Sequence, residues 1–145
     1  MFSVYGDPEV MRFVPGGALT GIEAVRSTLE KYAQDHRTRG FSSWAAVERQ
    51  TGRPIGDVGF SIFEPTGDIE LGYTLGRPWW GRGYGTEGAG ACLGTGLVHL
   101  GAPRIIAVVD EANAASLRVA ERIGMERKEG IEAYGRLHVL FEARP

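Results

Sequence analysis

Glycines crowd one stretch of this chain, between residues 72 and 101. The chain has 22 glycines among its 145 residues, whereas ordinary usage of about 7% would give about 10. Inside the stretch, the run Gly83-Tyr-Gly-Thr-Glu-Gly88 stands between a predicted strand and a predicted helix. Successive N–H groups in such a turn form a positive concavity that suits a phosphate group. The stretch therefore predicts a site for a pyrophosphate-bearing ligand, with close helix-sheet packing as the alternative reason for the glycines.

The same six residues match the G-x-G-x-x-G pattern of dinucleotide-binding folds. Asp110 also lies about 20 residues further on, where such folds place an acidic residue. The preceding strand, however, ends near Leu75, so Trp79 and Trp80 intervene before the first glycine. The remaining chain is also too short for the usual parallel sheet. The dinucleotide interpretation is therefore the weaker one.

The hydrophobic pattern predicts strands first and then alternating strands and helices. Thr20-Gly-Ile-Glu23 matches a capping box and predicts a helix that Gly40 ends. The first two predicted strands form an antiparallel hairpin. Predicted strands cover residues 41–48, 54–63, 69–75, 104–109, 125–129 and 137–142, and helices follow the glycine turn and Asn113. This order indicates an α+β fold with a mixed sheet, in a single domain over residues 1–145.

Charge and cysteine content exclude several classes of function. The formal charge is −2, from 16 basic and 18 acidic residues without a basic block, which argues against nucleic-acid and membrane partners. Cys92 is the single cysteine, so no internal disulfide forms, and no Cys/His cluster has metal-ligand spacing. No export signal or spanning segment is visible. Together these features predict a cytoplasmic protein without a metal.

Two motifs resemble those of the GNAT superfamily of N-acetyltransferases. Trp80-Gly-Arg-Gly-Tyr-Gly85 is similar to the acyl-CoA loop of that family. Asn113-Ala-Ala-Ser-Leu-Arg-Val-Ala-Glu-Arg-Ile-Gly-Met125 is similar to its Asn-x-x-Ser/Ala helix that ends in Gly-Phe. Gly6-Asp-Pro-Glu-Val-Met11 and Ile69-Glu-Leu-Gly-Tyr73 extend the likeness over nearly the whole chain, within the branch of ribosomal-protein and small-amine acetyltransferases.

The resemblance implies a mixed, mostly antiparallel sheet of seven strands with flanking helices. Such a sheet splays between its fourth and fifth strands, here residues 70–75 and 104–109, where the pantetheine arm of acetyl-CoA lies. Main-chain groups of Tyr73, Thr74 and Leu75 would bind pantetheine, and Asn113 would reach its amide, cap its own helix, or do both. The resemblance assigns the pyrophosphate to Arg82, Gly83, Tyr84, Gly85 and Thr86.

The N-terminus departs from the family pattern. Only five residues precede Gly6-Asp-Pro8, so we expect the first strand of the family's sheet to be missing. A partner, such as a second copy of the chain in a homodimer, would then cover the sheet edge, unless the start of the chain is incomplete.

Amine acetylation needs a proton acceptor, because alkylamines have pKa values of about 10 and must lose a proton before they attack. Glu70 is the candidate base, since it lies on the polar side of the strand before the glycine loop and the family often uses a carboxylate on that strand. A solvated glutamate at the rim of the sheet is the alternative interpretation. Glu126, Glu129 and Glu132 are weaker candidates.

The departing thiolate needs help less urgently, because a thiol pKa of about 8.5 makes it a tolerable leaving group. Ser116 stands at the Asn-x-x-Ser position, where the resemblance implies a hydroxyl near the sulfur, and a helix-cap serine is the alternative. Tyr134 is a phenolic candidate for the same task. Ala120 occupies the position at which many relatives carry a tyrosine acid.

These residues predict an acetyl-CoA-dependent N-acetyltransferase in which a bound primary amine attacks directly in a ternary complex. The acceptor is either a protein N-terminus or a small-molecule amine. A non-catalytic acyl-CoA-binding module is the rival prediction, because Ala120 has replaced the usual acid.

Overall fold

Six strands form one open sheet, and the computed structural model describes all 145 residues. The strands are β1 Ser43–Val47, β2 Pro54–Phe63, β3 Asp68–Leu75, β4 Ile105–Asp110, β5 Glu126–Ala133 and β6 Arg136–Ala143. The helices are α1 Phe2–Tyr5, α2 Ile22–Arg39, α3 Tyr84–His99 and α4 Ala114–Arg122. None of the helices combines the length and the apolar character that a membrane span requires.

The strand order is β1-β2-β3-β4-β6-β5, and every neighbouring pair is antiparallel except β3 and β4. Those two strands pair only at their first residues, Ile69 with Ile105 and Glu70 with Ile106. Beyond Glu70, β3 stays bonded to β2 and β4 stays bonded to β6, so the sheet opens between them. The predicted α+β class, mixed sheet and splay are therefore confirmed.

The sheet has six strands where the resemblance implies seven, and the missing first strand was predicted. The N-terminal residues form the single-turn helix α1 and a series of turns before α2 begins. As a result β1 is an edge strand, and it exposes the side chains of Trp44 and Val47 by about half, 44% and 53%.

The main core lies between the sheet and α3. Phe60, Leu71, Leu93, Ile105 and Phe141 are its large buried members. The glycines of α3 each cost about 1 kcal/mol relative to alanine, so packing must hold the helix. Gly96 shows how: a Cβ at that position would lie 2.5 Å from Cζ of Phe60. The helix therefore approaches the sheet more closely than any side chain would allow.

The opposite face of the sheet carries α1 and α2. Tyr5 from α1 donates a hydrogen bond from its hydroxyl to the Asp57 carboxylate of β2, and Tyr5 packs with Val4, Met11 and Val25 in a second cluster. Burial raises the pKa of Asp57 to about 6. The N-terminal segment is thus tied to the sheet by apolar packing and by one buried hydrogen bond.

The boundaries of α2 test the local capping signals. The capping box at Thr20 was wrong, because Gly21 is the N-cap residue, with φ of 87°, and no side chain bonds the first turn. Gly40 does end the helix as predicted, in the left-handed region with φ of 81°. Elsewhere, β2 has its predicted bounds, whereas β5 runs four residues beyond its predicted end at 129, to Ala133.

Candidate active site

The opening between β3 and β4 holds a cavity of about 620 Å³. Its walls are the separated halves of the two strands, the start of α3 and one side of α4, and residues 9–14 close it on the side of α1. The residues predicted to bind acetyl-CoA line this cavity with the exception of Arg82, and so do the preferred catalytic candidates Glu70 and Ser116. One space therefore collects groups from five parts of the chain.

The backbone N–H and C=O groups of β3 point alternately towards β2 and towards the cavity, from one residue to the next. The Gly76 N–H donates to the Ile55 carbonyl, and peptide groups alternate in direction along an antiparallel ladder. Those of Tyr73 and Leu75 consequently face the opening, whereas those of Thr74 face β2. The Leu75 carbonyl already accepts from Trp80 Nε1 at 2.7 Å. Tyr73 therefore presents both of its peptide groups, Leu75 presents its N–H, and Thr74 contributes its side chain instead of its main chain.

The glycine turn places an unpartnered helix N-terminus at one end of the cavity. Gly81 and Gly83 have φ values of 67° and 83°, a conformation that favours glycine. The first helical bond of α3 runs from the Glu87 N–H to the Gly83 carbonyl, and no side chain caps the helix. The N–H groups of residues 84–86 are thus free to bind an anion.

The buried carboxylate of Glu48, the residue that follows β1, contacts this turn. Glu48 accepts hydrogen bonds from the hydroxyls of Tyr84 at 2.9 Å and Thr51 at 2.7 Å, and these hold the pKa of Glu48 below its usual range. The Arg82 guanidinium lies 3.6 Å from the same carboxylate and 5.2 Å from the centre of the Tyr84 ring. Arg82 is thereby kept beside the turn although it does not line the cavity. No local sequence signal indicates Glu48, which lies 36 positions from Tyr84.

Glu70 lies on the cavity wall at the last paired position before the strands separate. Burial raises the pKa of this carboxyl to about 7, against a smaller lowering by the Val108 backbone N–H. A carboxylate with a pKa near the working pH is suited to general-base catalysis. The partly buried position does not match the alternative of a solvated rim glutamate.

The other candidate bases lie elsewhere. Glu126, Glu129 and Glu132 are exposed on β5 and do not line the cavity. Tyr134, between β5 and β6, packs its ring against Phe63 and His138. Burial and the charge of Glu70 raise the pKa of Tyr134, so this phenol is on the Glu70 side of the sheet.

Helix α4 contributes the opposite wall. The Asn113 side chain caps the helix by accepting from the Ser116 N–H at 3.2 Å, which leaves the Asn113 amide donors available. Because Asn113 is the cap, Ser116 is not, and the Ser116 hydroxyl instead lies 3.0 Å from the Tyr73 hydroxyl. Ala120, one turn later, is 4% exposed and offers no polar group.

Several lining residues were missed from the sequence. Arg118 and Arg122 extend along α4 beside the cavity, and their four-residue spacing, which places both on one helix face, could have indicated them. Val10 and Phe13 close the side near α1, and no spacing rule identifies them. No group of three or more His, Cys, Asp or Glu side chains is arranged to hold a metal ion.

Comparison with known proteins identifies a family over most of the chain. A family model described as an acetyltransferase (GNAT) domain matches residues 1–126. The chain is 31% identical over 143 residues to the protein YkkB of Bacillus subtilis, and the match covers 97% of this chain and 82% of YkkB.

Solved structures share the fold. A GNAT-family acetyltransferase from Bacillus anthracis superposes with a TM-score of 0.78 at 24% identity, over 98% of this chain and 84% of that one. AAC(6')-Ib, solved with ribostamycin and coenzyme A, gives a TM-score of 0.78 at 15% identity, over 99% of this chain and 85% of that one. At these identities the likeness is one of fold.

Proposed function

The chain belongs to the GNAT acetyltransferase family, and we propose that it transfers the acetyl group of acetyl-CoA directly to a primary amine bound in the same cavity. Dependence on acetyl-CoA follows from the family, whereas the direct route and the class of acceptor are the proposal. One observation supports it above the others. A carboxylate with a pKa of about 7 and a pair of hydroxyls line one cavity, which ends at a free helix N-terminus.

Acetyl-CoA would bind along the opening of the sheet. The free N–H groups of α3 and the Arg82 side chain suit the pyrophosphate, because both are positive and adjacent. The peptide groups of Tyr73 and the N–H of Leu75 suit the pantetheine amides, in the manner of an added strand. The Asn113 amide donors, which the helix cap does not use, suit a pantetheine carbonyl.

Glu70 is the proposed base for the acceptor. The ammonium form of the amine gives one proton to the Glu70 carboxylate, directly or through water, and the neutral nitrogen attacks the thioester carbonyl carbon. The C–N bond forms, the nitrogen loses its second proton, and the C–S bond breaks with its electron pair on sulfur. At a pKa of about 7, enough Glu70 is ionised at neutral pH to accept these protons in turn and release them to solvent.

Ser116 is the proposed hydroxyl near the departing sulfur. Its side chain is half-buried on the cavity wall opposite β3, and a hydrogen bond to a developing negative charge stabilises the transition state. The direct route forms no acyl-enzyme. The single cysteine, Cys92, does not line the cavity, and burial raises the pKa of its thiol, which disfavours the nucleophilic form.

The test is an acceptor panel. Purified protein is mixed with acetyl-CoA and amines of two groups, peptides with free N-termini and small polyamines including aminoglycosides, and CoA release and product masses are measured. We expect at least one amine to gain an acetyl group, and the Glu70→Gln variant to lose that activity while it still binds acetyl-CoA. Tight acetyl-CoA binding without turnover of any amine would instead favour a binding module.

Two wider predictions accompany this function. The exposed β1 edge, with Trp44 and Val47 on it, is the surface on which a second copy would pair, and light scattering would give the oligomeric state. The cytoplasmic location predicted from the single cysteine is checked by cell fractionation. Monomers in solution, or protein outside the cytoplasm, would contradict the respective prediction.

A further inference from the structure

A buried carboxylate lies beside the turn proposed for the pyrophosphate of acetyl-CoA. Glu48 is 7% exposed, and hydrogen bonds from the Thr51 and Tyr84 hydroxyls hold its pKa below the usual range, so it is charged at neutral pH. A negative charge next to a phosphate site weakens phosphate binding by repulsion. The contacts of Glu48 show what offsets this repulsion.

The backbone of Glu48 is fixed within the turn between β1 and β2. Its N–H donates to the Arg53 carbonyl at 2.9 Å, and its carbonyl accepts from the Gly52 N–H at 2.8 Å. One carboxylate oxygen, Oε2, accepts from the Thr51 hydroxyl at 2.7 Å in the same turn. The other oxygen, Oε1, is therefore presented from a fixed point.

Oε1 of Glu48 contacts the two residues that flank the N-cap of α3, Gly83. It accepts a hydrogen bond from the Tyr84 hydroxyl at 2.9 Å and lies 3.6 Å from Nη2 of Arg82. The Arg82 guanidinium also lies 5.2 Å from the centre of the Tyr84 ring. One oxygen atom thus holds both sides of the turn that presents the free N–H groups.

These contacts orient Arg82 without using up its donors. A separation of 3.6 Å is longer than a hydrogen bond, Glu48 is the single carboxylate that Arg82 contacts, and half of the Arg82 side chain, 49%, is exposed. The guanidinium N–H groups therefore remain available to a phosphate, which arginine binds through two parallel hydrogen bonds. A guanidinium between the carboxylate and the phosphate offsets the repulsion of the two anions.

We propose that Glu48 is a positioning residue for the pyrophosphate of acetyl-CoA: it holds Tyr84 and Arg82 in the arrangement that receives the phosphates and does not itself contact them. The inference rests on the proposed acetyl-CoA site. A turn and an arginine side chain that are ordered before the ligand arrives lose less conformational entropy when it binds. Glu48 thereby raises the affinity for the coenzyme, although its charge alone would lower it.

The substitution Glu48→Gln separates this role from two simpler ones, because it keeps the size of the side chain and removes its charge. Positioning predicts weaker binding of CoA, whereas a carboxylate that only repels the phosphates predicts tighter binding. A purely structural role predicts equal losses for CoA and for pantetheine, which lacks the pyrophosphate.

Calorimetry of CoA and pantetheine binding provides the test, and it needs no amine acceptor. We expect the Kd of CoA to rise about 10-fold in Glu48→Gln and about 3- to 10-fold in Tyr84→Phe, with the Kd of pantetheine within about twofold in both. Glu48→Gln should have a smaller effect when Arg82→Gln is already present, because Glu48 acts partly through Arg82. In turnover, the KM for acetyl-CoA should rise while kcat stays within about twofold.

Glu64→Gln is the matched control, because Glu64 is exposed in the turn that follows β2, at the other end of that strand. It should leave both Kd values unaltered. Unchanged or tighter CoA binding in Glu48→Gln, an equal loss for pantetheine, or an equal effect of Glu64→Gln overturns the inference. Should Glu48→Gln unfold, Tyr84→Phe decides by the same criteria. Turnover of no amine, together with the expected Kd values, would contradict the acetyl transfer and leave the positioning role standing.

Discussion

At the residue scale, Glu70 owes its chemistry to the point at which β3 leaves β4. Its partner on the neighbouring strand β4 is Ile106. Val108 lies two residues further along β4, on the same face of the sheet, and its N–H lowers the pKa of the Glu70 carboxyl slightly. Apolar neighbours and the opening of the sheet leave the carboxyl partly dehydrated. Burial therefore gives an ordinary glutamate the pKa of a base that works at neutral pH.

The substitution Glu70→Gln tests this role. The amide keeps the size of the side chain but cannot accept a proton, so we expect kcat to fall by about 10²- to 10⁴-fold with little change in acetyl-CoA affinity. In the parent protein, activity should fall as the pH drops below about 7, because protonated Glu70 is inactive. Steady-state kinetics across pH measure both effects.

Ser116→Ala provides the comparison, with an expected loss of roughly 10- to 100-fold because thiolate is a tolerable leaving group. If Glu70→Gln retains kcat within about threefold, Glu70 is not the base. A larger loss at Ser116 than at Glu70 would mean that the hydrogen bond to the departing sulfur contributes more to the rate than the base does.

Asp57 makes stability depend on pH in an unusual direction. It is 6% exposed and has hydroxyl neighbours but no salt bridge. The folded chain holds its proton up to a pKa of about 6, against a usual 3.8, so this group costs stability as pH rises through that window. The Asp57→Asn variant lacks this cost. From acid to neutral pH, its free energy of unfolding should therefore rise relative to that of the parent protein by at most about 3 kcal/mol.

Urea unfolding at several pH values measures this difference. Asp35→Asn in α2 is the control, because Lys31 holds the pKa of Asp35 below its usual range and the sign is reversed. A constant stability difference between Asp57→Asn and the parent from pH 4 to pH 7 would contradict the assignment.

At the scale of single elements, α3 contains glycines that serve different purposes. A Cβ on Gly96 would lie 2.5 Å from Phe60 and 2.8 Å from Ile105, whereas a Cβ on Gly94 meets nothing within 4 Å. Gly94→Ala should therefore stabilise the protein by about 1 kcal/mol. Gly96→Ala should destabilise it by about 1–3 kcal/mol through overpacking.

Chemical denaturation of the two variants measures both changes in stability. The comparison is well matched because Gly94 and Gly96 lie half a turn apart on the same helix. Equal effects at both positions would mean that helix propensity alone decides the role of these glycines.

The first turn of α3 should bind the phosphates. Gly85→Glu brings bulk and negative charge to the free N–H groups, so we expect CoA binding to be lost while the fold remains. Gly94→Glu places the same side chain on the exposed part of the same helix and should bind CoA normally. Native circular dichroism with unchanged CoA affinity in Gly85→Glu would exclude this turn as the phosphate site.

At the scale of the whole molecule, the two halves of the sheet are joined by few direct contacts beyond Glu70. A ligand that bonds to β3 and the α3 turn on one side, and to Asn113 after β4 on the other, would tie the two halves together, so acetyl-CoA should raise the melting temperature. At about 100 times its dissociation constant, the ligand adds about 2.7 kcal/mol. NAD is the control, and a shift with NAD but none with acetyl-CoA would favour the dinucleotide interpretation of the glycine turn.

Local signals in the sequence determined several features on their own. The period-two pattern predicted β3 to within one residue at its start, and Gly40 ended its helix as predicted. The sequence left Asn113 and Ser116 as alternative caps of α4, and Asn113 is the cap. Each of these depends on residues within a few positions of one another, where backbone preference and side-chain reach decide the outcome. Where two local signals competed at Thr20 and Gly21, glycine's access to positive φ prevailed over the hydroxyl cap.

Only the tertiary structure decided how the site is assembled. The bond between Tyr73 and Ser116, the anchoring of Tyr84 by Glu48, and the burial that raises the pKa of Glu70 all join distant parts of the chain. Each depends on the strand order and on the point at which β3 and β4 separate. Pattern and propensity carry no information on such distances, because burial and contact between remote segments exist only once the sheet has formed.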